Sequence, residues 1–377
     1  MSSTYKNLIR IPSYVDSTTN ERKIGEFIYA YLQKNTSLKI TKQLIEDGRF
    51  NVIAADGYEP KLLFCCHIDT VEPKEGCKYS QFRGIVRKGR LYGLGAYDMK
   101  GGTAAVIEAA QSVLKTRGLT LLFYCDEEYR FAGMEKFIKK YRGKKPELAV
   151  FPEPTDLTIV NGCRGLIEIK FRVSGKSGHA AQPQSGINAI EALQYALREI
   201  RKNTDRYKNS EMGISTYNLA CIKGGMKRGE IKTGELIVGD AANNIADIAE
   251  ATMSVRPISR EFNAAKVIEV FCNATSKTKA KVERIEILND YAPFLIPREK
   301  LGVFEDAVSN VLGNAQYGDI AKSGYFDAQL LNQKLGIKTV IFGPKGENAH
   351  AANEWVSIKS LQEVQDVYVN LIKKICV

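Results

Sequence analysis

Short, continuously apolar runs separated by helix-like segments constrain the fold of the first 160 residues more than any other feature. The runs cover residues 51–55, 61–68, 119–125 and 147–151, and helical spacing is predicted at 20–34, 104–114 and 134–141. Strands that are apolar on both faces are typical of a sheet covered by helices on both sides. This part therefore predicts an α/β fold with a mixed, mostly parallel sheet.

The pattern changes at about residue 164, where the apolar residues Ile167, Ile169, Phe171 and Val173 alternate with polar ones. Alternation of this kind indicates a half-exposed antiparallel strand. A helix at 187–202, strands at 214–222 and 249–255, a helix at 262–276 and a strand at 281–288 follow. This order is that of a ferredoxin-like α+β domain.

The α/β pattern resumes at about residue 295 with a predicted helix, a strand at 339–342 and a final helix that carries the apolar residues 361–375. We therefore predict one α/β domain in two parts, 1–163 and 291–377. The ferredoxin-like domain, 164–290, is inserted between them.

The composition argues against two classes of partner. The net charge is +11, but the lysines are dispersed and no basic segment is interleaved with aromatic residues, which favours a solvated surface over nucleic-acid binding. A positive field that attracts small carboxylate substrates is compatible with this charge. No stretch approaches the roughly 18 apolar residues of a membrane span.

The eight cysteines include no CxxC pair, and several lie inside apolar runs. Such cysteines are typical of reduced core thiols. We expect a cytoplasmic protein.

Two of the three histidines and three acidic segments occupy positions that suit a metal site. These are His67, His350, Asp98, Asp126-Glu127-Glu128 and Glu153, and each acidic segment is predicted to follow a buried strand. Ligands gather at the carboxyl ends of parallel strands. Each residue also has a simpler interpretation: a strand-end or loop histidine, a helix N-cap at Asp98, solvated charge at Glu127-Glu128, and a turn at Glu153.

The donor set indicates the chemistry. Two imidazoles with three carboxylates suit zinc, cobalt or manganese, and an aspartate shared by two ions is a common co-catalytic device. Burying both Glu127 and Glu128 costs several kcal/mol unless a cation or proton compensates. One of them could bind metal while the other acts as general base. Asp69, two residues after His67, could orient its imidazole.

Longer motifs carry a resemblance over almost the whole chain. They are His67-Ile68-Asp69-Thr70-Val71, Gly95-Ala96-Tyr97-Asp98-Met99-Lys100-Gly101-Gly102, Asp126-Glu127-Glu128, Glu153-Pro154-Thr155, Ser177-Gly178-His179-Ala180-Ala181, Gly186-Ile187-Asn188-Ala189-Ile190 and His350-Ala351-Ala352-Asn353-Glu354. With these motifs the chain resembles the co-catalytic zinc metallopeptidase family that includes acetylornithine deacetylase, succinyl-diaminopimelate desuccinylase, aminoacylases and carboxypeptidase G.

The resemblance implies a role for each of these residues. Asp98 would bridge two divalent ions, zinc first and cobalt or manganese as alternatives. His67 and Glu153 would complete one site, and Glu128 and His350 the other. Asp69 would orient His67, and Glu127 would be the general base that takes a proton from the attacking water.

In the inserted domain, the resemblance implies that His179 reaches the active site of a partner subunit and hydrogen-bonds the oxyanion. This implies a homodimer formed through that domain. Arg256 would clamp a substrate carboxylate, and Asn243 would contact substrate. The simpler interpretations are a loop histidine and a surface strand arginine.

The predicted function is that of a di-metal amidohydrolase that removes an acyl group from an N-acyl amino acid. Acetylornithine, N-acetyl-lysine and N-succinyl-diaminopimelate are the candidate substrates. Departures from the family pattern at Asn244, Ala246, Ser254 and Phe326 leave the choice open. A dipeptidase or carboxypeptidase with the same centre is the alternative. A non-catalytic protein that kept the fold would be expected to have lost ligands, whereas this chain keeps them all.

Overall fold

The computed structural model describes residues 2–232, 234–322 and 326–377. The chain divides into two compact units, one of Met1–Gly162, Leu295–Gly318 and Phe326–Val377, the other of Cys163–Phe294 and Asp319–Tyr325. The first unit is discontinuous in sequence because the second interrupts it.

Up to the first boundary the elements are α1 Ser3–Arg10, α2 Arg22–Asn35, β1 Lys39–Leu44, β2 Phe50–Ala55, β3 Leu62–His67, β4 Ile85–Arg87, β5 Arg90–Tyr92, α3 Lys100–Ser112, β6 Leu119–Tyr124, α4 Ala132–Lys140, β7 Leu148–Phe151 and β8 Gly162–Cys163. They continue with β9 Leu166–Ser174, α5 Ala189–Thr204, β10 Lys208–Asn209, β11 Gly213–Ile214, β12 Thr216–Glu230, β13 Leu236–Gly239, β14 Ile248–Arg256, α6 Ala264–Ser276, β15 Lys281–Tyr291 and β16 Phe294–Leu295. The last are α7 Gly302–Leu312, α8 Ala328–Leu335, β17 Thr339–Ile341, β18 Gly346–Glu347, β19 Trp355–Ser357 and α9 Ile358–Cys376.

Within the described residues, the main sheet of the first unit has six strands in the order β1-β2-β6-β3-β7-β17. The strands β6, β3, β7 and β17 run parallel, while β1 and β2 are antiparallel at one edge. Every residue of β3 is buried, so both faces of the sheet are covered there. The predicted mixed, mostly parallel α/β class is confirmed.

Helices α3 and α9 both pack against β3. Helix α3 is rich in glycine and alanine and buried along most of its length, which allows close backbone approach. Helix α9 presents Leu361, Val364, Tyr368 and Leu371 to the core, and the Tyr368 ring lies 5.0 Å from that of Phe64. The predicted final helix is confirmed.

The sheet of the second unit has, among the described residues, the order β13-β12-β14-β9-β15 with antiparallel neighbours. Without β13, this is the order of a ferredoxin-like fold, which confirms the prediction for this part of the chain. Helices α5 and α6 begin at the side-chain caps of Asn188 and Asn263 and pack on the sheet. The ring of Phe171 stacks on that of Phe271 at 3.9 Å.

Several predicted elements differ from the structure. The helix expected from residue 295 begins at Gly302, and β12 continues to Glu230 because β13 pairs with its second half. Strand β1 was not predicted, since its residues are largely exposed and lack an apolar run. Arg172, expected on the solvated face of β9, is buried and paired with Glu250.

Candidate metal centre

Three neighbouring parallel strands bring one group of candidate ligands together. His67 is the last residue of β3, Glu127 and Glu128 follow β6, and Glu153 follows β7. Since β6, β3 and β7 are adjacent and parallel, their carboxyl ends meet at one edge of the sheet. The sequence predicted this convergence from the apolar runs alone.

Asp98 and His350 are positioned by a different sheet from the other candidate ligands. Asp98 was expected after a buried strand, but the strand before it is the short β5 of a separate sheet, ordered β18-β19-β5-β4. His350 lies in the loop between β18 and β19 of the same sheet. The pairing of β5 with β19 therefore explains how segments some 250 residues apart reach one site. The interpretation of Asp98 as a helix cap is wrong, because Met99 occupies that position and α3 has no side-chain cap.

Asp98 lies between the two imidazoles. Its Oδ1 is 3.1 Å from Nε2 of His67, and its Oδ2 is 3.3 Å from Nε2 of His350. Glu153 Oε1 lies 3.7 Å from His67 Nε2, and Glu128 Oε1 lies 3.0 Å from His350 Nε2. Each oxygen of one carboxylate thus faces a different imidazole, and each imidazole also faces a second carboxylate.

Potential ligand atoms form three overlapping groups within the described residues, and the atoms in each lie within 4.8 Å of one another. The groups are His67-Asp98-Glu153, Asp98-Glu128-His350 and His67-Glu127-Glu128. The first two share Asp98. Their composition is the one expected for two divalent ions that share an aspartate.

The pKa values report unbalanced negative charge. Burial raises the pKa of the Glu127, Glu128 and Glu153 carboxyls, and neighbouring carboxylates add to this effect. Hydrogen bonds from its ring to the carboxylates of Asp98 and Glu128 raise the pKa of His350 to about 10. Burial opposes protonation of His67, but Glu153, Asp69 and Asp98 outweigh it and raise the pKa. The cluster therefore favours positive charge at its centre, which protonated imidazoles or a bound cation can supply.

A second observation, independent of the pKa values, indicates that the site suits metal ions. Glu153 is only 3% exposed, and its Oε1 has no hydrogen-bond partner among the described residues. A buried carboxylate oxygen in that state is costly unless a cation compensates. Nitrogen and oxygen donors of this kind suit zinc, cobalt or manganese.

Asp69 connects the two sides of the site. Its Oδ1 lies 3.5 Å from Nδ1 of His67, and its oxygens accept the backbone N–H groups of Glu127 and Glu128 at 3.1 and 2.9 Å. The side chain is fully buried. It is therefore placed to orient the imidazole and the glutamate turn together.

The remaining predicted residues belong to the second unit. His179 is exposed and pairs as an isolated bridge with Asn244, and Asn243 accepts the backbone N–H of Ala180 at 2.8 Å. Arg256 is half-buried at the end of β14. Their catalytic and substrate-binding roles stay predictions.

Sequence reasoning gave no role to Glu354, although it ends a quoted motif. Its buried carboxylate accepts the backbone N–H groups of Gly95, Tyr97 and Asp98 at 2.7, 2.8 and 3.0 Å. Burial raises its pKa to about 8, whereas the three donors favour the carboxylate. Glu354 thus fixes the loop that carries Asp98.

Asp327 is a second buried acid that the sequence did not place. It accepts a hydrogen bond from the hydroxyl of Tyr124 at 2.9 Å. Burial raises its pKa to about 7. Its segment was noted in the sequence only as a departure from the family pattern.

Imidazoles and carboxylates that cluster beside the carboxyl edge of a mixed sheet suit a metal-dependent hydrolase. The chain belongs to peptidase family M20/M25/M40, whose profile matches residues 63–374. This family acts on amide bonds, so the expectation of a metal-dependent amide-bond hydrolase is confirmed.

Some relatives in this family are named as deacetylases and others as carboxypeptidases. Acetylornithine deacetylase of Proteus mirabilis is 27% identical over a gapped alignment of 395 positions, which covers 99% of this chain and 96% of the relative. That of Vibrio atlanticus is 29% identical and covers 99% and 97%. A probable carboxypeptidase of Aspergillus clavatus is 33% identical over a gapped alignment of 274 positions, which covers 67% of this chain and 61% of the relative.

Solved structures share the fold. A tripeptidase from Staphylococcus aureus matches with a TM-score of 0.73 at 23% identity and covers 99% of this chain and 96% of that one. The aminopeptidase PepT of Bacillus cereus matches with a TM-score of 0.76 at 19% identity and covers 98% of this chain and 96% of that one.

None of the helices in the described part of the chain combines the length and apolar character that a bilayer crossing requires.

Proposed function

We propose that the chain is a di-metal deacylase that hydrolyses the amide bond of an N-acyl amino acid, with a substrate like acetylornithine. The observation that carries the proposal is the position of Asp98, whose two oxygens face His67 and His350 separately. Glu127 lies in the same cluster without being a member of the two groups that share Asp98.

Each ion would have its own set of residues. His67, Asp98 and Glu153 would hold one, and Asp98, Glu128 and His350 the other. Bound zinc polarises an amide carbonyl and lowers the pKa of water to about 7. We propose zinc, with cobalt or manganese as alternatives, because the donor set is imidazole and carboxylate.

Glu127 is the proposed proton carrier. Burial raises the pKa of its carboxyl, with smaller contributions from Asp327 and Glu153. It would take a proton from the attacking water and return it to the leaving nitrogen. Asp69 holds the Glu127 backbone N–H at 3.1 Å and would keep the carboxylate in place through both steps.

The near-complete alignment with acetylornithine deacetylases favours an acyl amino acid over a peptide. Acetyl-lysine and succinyl-diaminopimelate remain candidate substrates of the same site. A dipeptidase or carboxypeptidase is the second candidate function, favoured by the 33% identity to the probable carboxypeptidase. Both need a carboxylate clamp, which we propose to be Arg256, with Asn243 contacting substrate.

We also propose a homodimer through the second unit, in which His179 completes the partner's site. In support, Leu219 and Ile222 on β12 are 39% and 45% exposed, and Ile287 on β15 is 50% exposed. Apolar side chains at the margins of a sheet suit an interface between copies. A cytoplasmic location is supported by the eight cysteines, none of which forms a disulfide within the described residues.

The test is hydrolysis of N-acetyl and N-succinyl amino acids and of dipeptides by the zinc- or cobalt-loaded protein. The Glu127→Ala variant is the control, with its metal content measured. We expect preference for one basic N-acetyl amino acid, and a loss of several orders of magnitude in kcat in the variant with metal retained. Cleavage of dipeptides alone would favour the peptidase, and no turnover by the metal-loaded protein would refute the enzyme proposal.

A further inference from the structure

A buried ion-pair network lies beside the candidate metal centre but contributes no atom to the ligand groups found among the described residues. Arg49, just before β2, donates from Nε and Nη2 to the two oxygens of Glu21 at 2.7 and 2.6 Å. Its Nη2 also donates to Oδ1 of Asp126 at 2.9 Å. The side chains of Arg49, Glu21 and Asp126 are 4%, 0% and 1% exposed.

Asp126 is held through its backbone as well as its side chain. Its N–H donates to Glu21 Oε1 at 3.0 Å, and its φ of +70° lies in the left-handed region that a non-glycine residue adopts only when its surroundings enforce it. The exposed Arg130 reaches its second oxygen at 3.2 Å. Asp126 therefore faces the arginines, although the sequence placed it in the same acidic segment as the candidate ligands.

The residues that follow Asp126 are Glu127 and Glu128. Their backbone N–H groups donate to Asp69, which follows β3. The turn is thus held from two sides, by Asp69 next to the imidazole of His67 and by Arg49 through Asp126. Without Arg49, the buried carboxylate of Glu21 would lose its arginine partner, and that of Asp126 would keep only the exposed Arg130.

We propose that Arg49 is a positioning residue for amide hydrolysis: through Asp126 it fixes the turn that places the Glu127 carboxylate and the Glu128 ligand. This rests on the roles proposed above for those two glutamates. Arg49 lies outside the ligand groups found among the described residues and would act only through the turn. Lysine is not equivalent, because only the planar guanidinium can bind Glu21 bidentately while reaching Asp126.

The second unit offers a matched control. Arg172 is also 4% exposed and also lies between two carboxylates, Glu250 at 2.7 Å and Glu230 at 3.0 Å. Its side chain donates to Glu250, Glu230 and the carbonyl of Gly234, which belong to its own unit. Arg49→Met and Arg172→Met therefore remove comparable buried charges, but only the first should disturb the glutamate turn.

The experiment titrates Zn²⁺ and Co²⁺ into the metal-free full-length proteins by calorimetry and visible absorption, and measures thermal unfolding, kcat and KM. We expect both variants to lose thermal stability. Only Arg49→Met should also lose about 10- to 100-fold in affinity for an ion and in kcat, the range found for groups that orient ligands. Arg49→Lys should recover stability more than kcat.

Wild-type metal affinity and kcat in folded Arg49→Met would overturn the proposal, as would equal losses of kcat in Arg172→Met. If Arg49→Met does not fold, the same measurements are made on Asp126→Asn, which leaves the Arg49–Glu21 pair intact. Unchanged metal affinity and kcat in that variant would overturn the proposal. If the wild type hydrolyses nothing, the function proposal fails, and the metal titration still tests the positioning of Glu128.

Discussion

Adding one methyl group at Gly102 should damage both stability and catalysis. Gly102 lies in the first turns of α3, and a Cβ built there would be 2.1 Å from the carbonyl oxygen of Pro152 and 2.8 Å from its Cβ. Real Cβ atoms essentially never approach closer than 3.0 Å, so helix and strand end must separate by about 0.9 Å. Pro152 directly precedes Glu153, so the displacement falls on a candidate ligand.

Two effects oppose each other in Gly102→Ala. Helix propensity alone favours alanine by about 1 kcal/mol. Overpacking of a well-filled interior typically costs about 1–3 kcal/mol, and here the obstacle is backbone rather than a flexible side chain. A backbone obstacle places the cost in the upper part of that range, about 2–3 kcal/mol, so after the gain of about 1 kcal/mol we expect the free energy of unfolding to fall by about 1–2 kcal/mol. A 1 Å misplacement of catalytic groups can reduce the rate about 100-fold.

The assay is urea unfolding of the metal-free protein, with kcat and zinc content measured on the loaded enzyme. Gly302→Ala is the control, since Gly302 begins α7 and a Cβ there has nothing within 4 Å. That variant should be as stable as wild type or more so. If Gly102→Ala equals the wild type in stability and kcat, the close approach of α3 to Pro152 does not constrain Glu153, and the reasoning fails.

Three further predictions follow from contacts described above. In Glu354→Gln the amide nitrogen must face one of three N–H donors, so we expect urea titration to show a loss of about 1–3 kcal/mol, and unchanged stability would contradict that geometry. Burial raises the pKa of Glu250, but hydrogen bonds from Lys170 and Arg172 outweigh it and lower the pKa overall. The stability that Glu250 adds is therefore present above its unfolded-state pKa of about 4.3 and is lost as the pH falls through the lower folded value. The difference in unfolding free energy between wild type and Glu250→Gln should shrink on acidification, and a pH-independent difference would argue against the ion pair. Removal of metal by a chelator should abolish hydrolysis. Zinc at about 100 times its Kd should raise the free energy of unfolding by about 2.7 kcal/mol per site. A melting temperature that does not change when zinc is added would count against a metal centre.

The sequence predicted those parts of the site that strand ends determine. His67, Glu127, Glu128 and Glu153 follow apolar runs, and parallel strands bring their carboxyl ends together whatever the rest of the chain does. The ferredoxin-like order of strands and helices could likewise be predicted, from the alternation of apolar and polar residues and from helical spacing. These features depend on local periodicity, which a sequence displays directly.

The pairing of strands that are far apart in the sequence could not be predicted. Asp98 and His350 meet because β5 pairs with β19, and such short, half-exposed strands have no distinctive pattern. Arg49, Glu21 and Asp126 are ordinary charged residues in the sequence. Their burial depends on contacts 28 and 77 residues apart. The resemblance supplied what periodicity lacked for Asp98 and His350, but it gave no role to Arg49 or Glu354.

The division of the first unit into segments has a consequence for synthesis on the ribosome. His67, Asp98, Glu128 and Glu153 emerge early, but His350, Glu354 and helix α9 emerge only after the whole second unit. Domains fold largely as they emerge, so the main segment of the ferredoxin-like unit, Cys163–Phe294, can fold while the earlier strands still lack β17 and α9. During that interval the nascent chain exposes apolar strands and an incomplete set of ligands. At that stage the candidate group of His67, Asp98 and Glu153 has all its residues, whereas the group of Asp98, Glu128 and His350 still lacks its histidine.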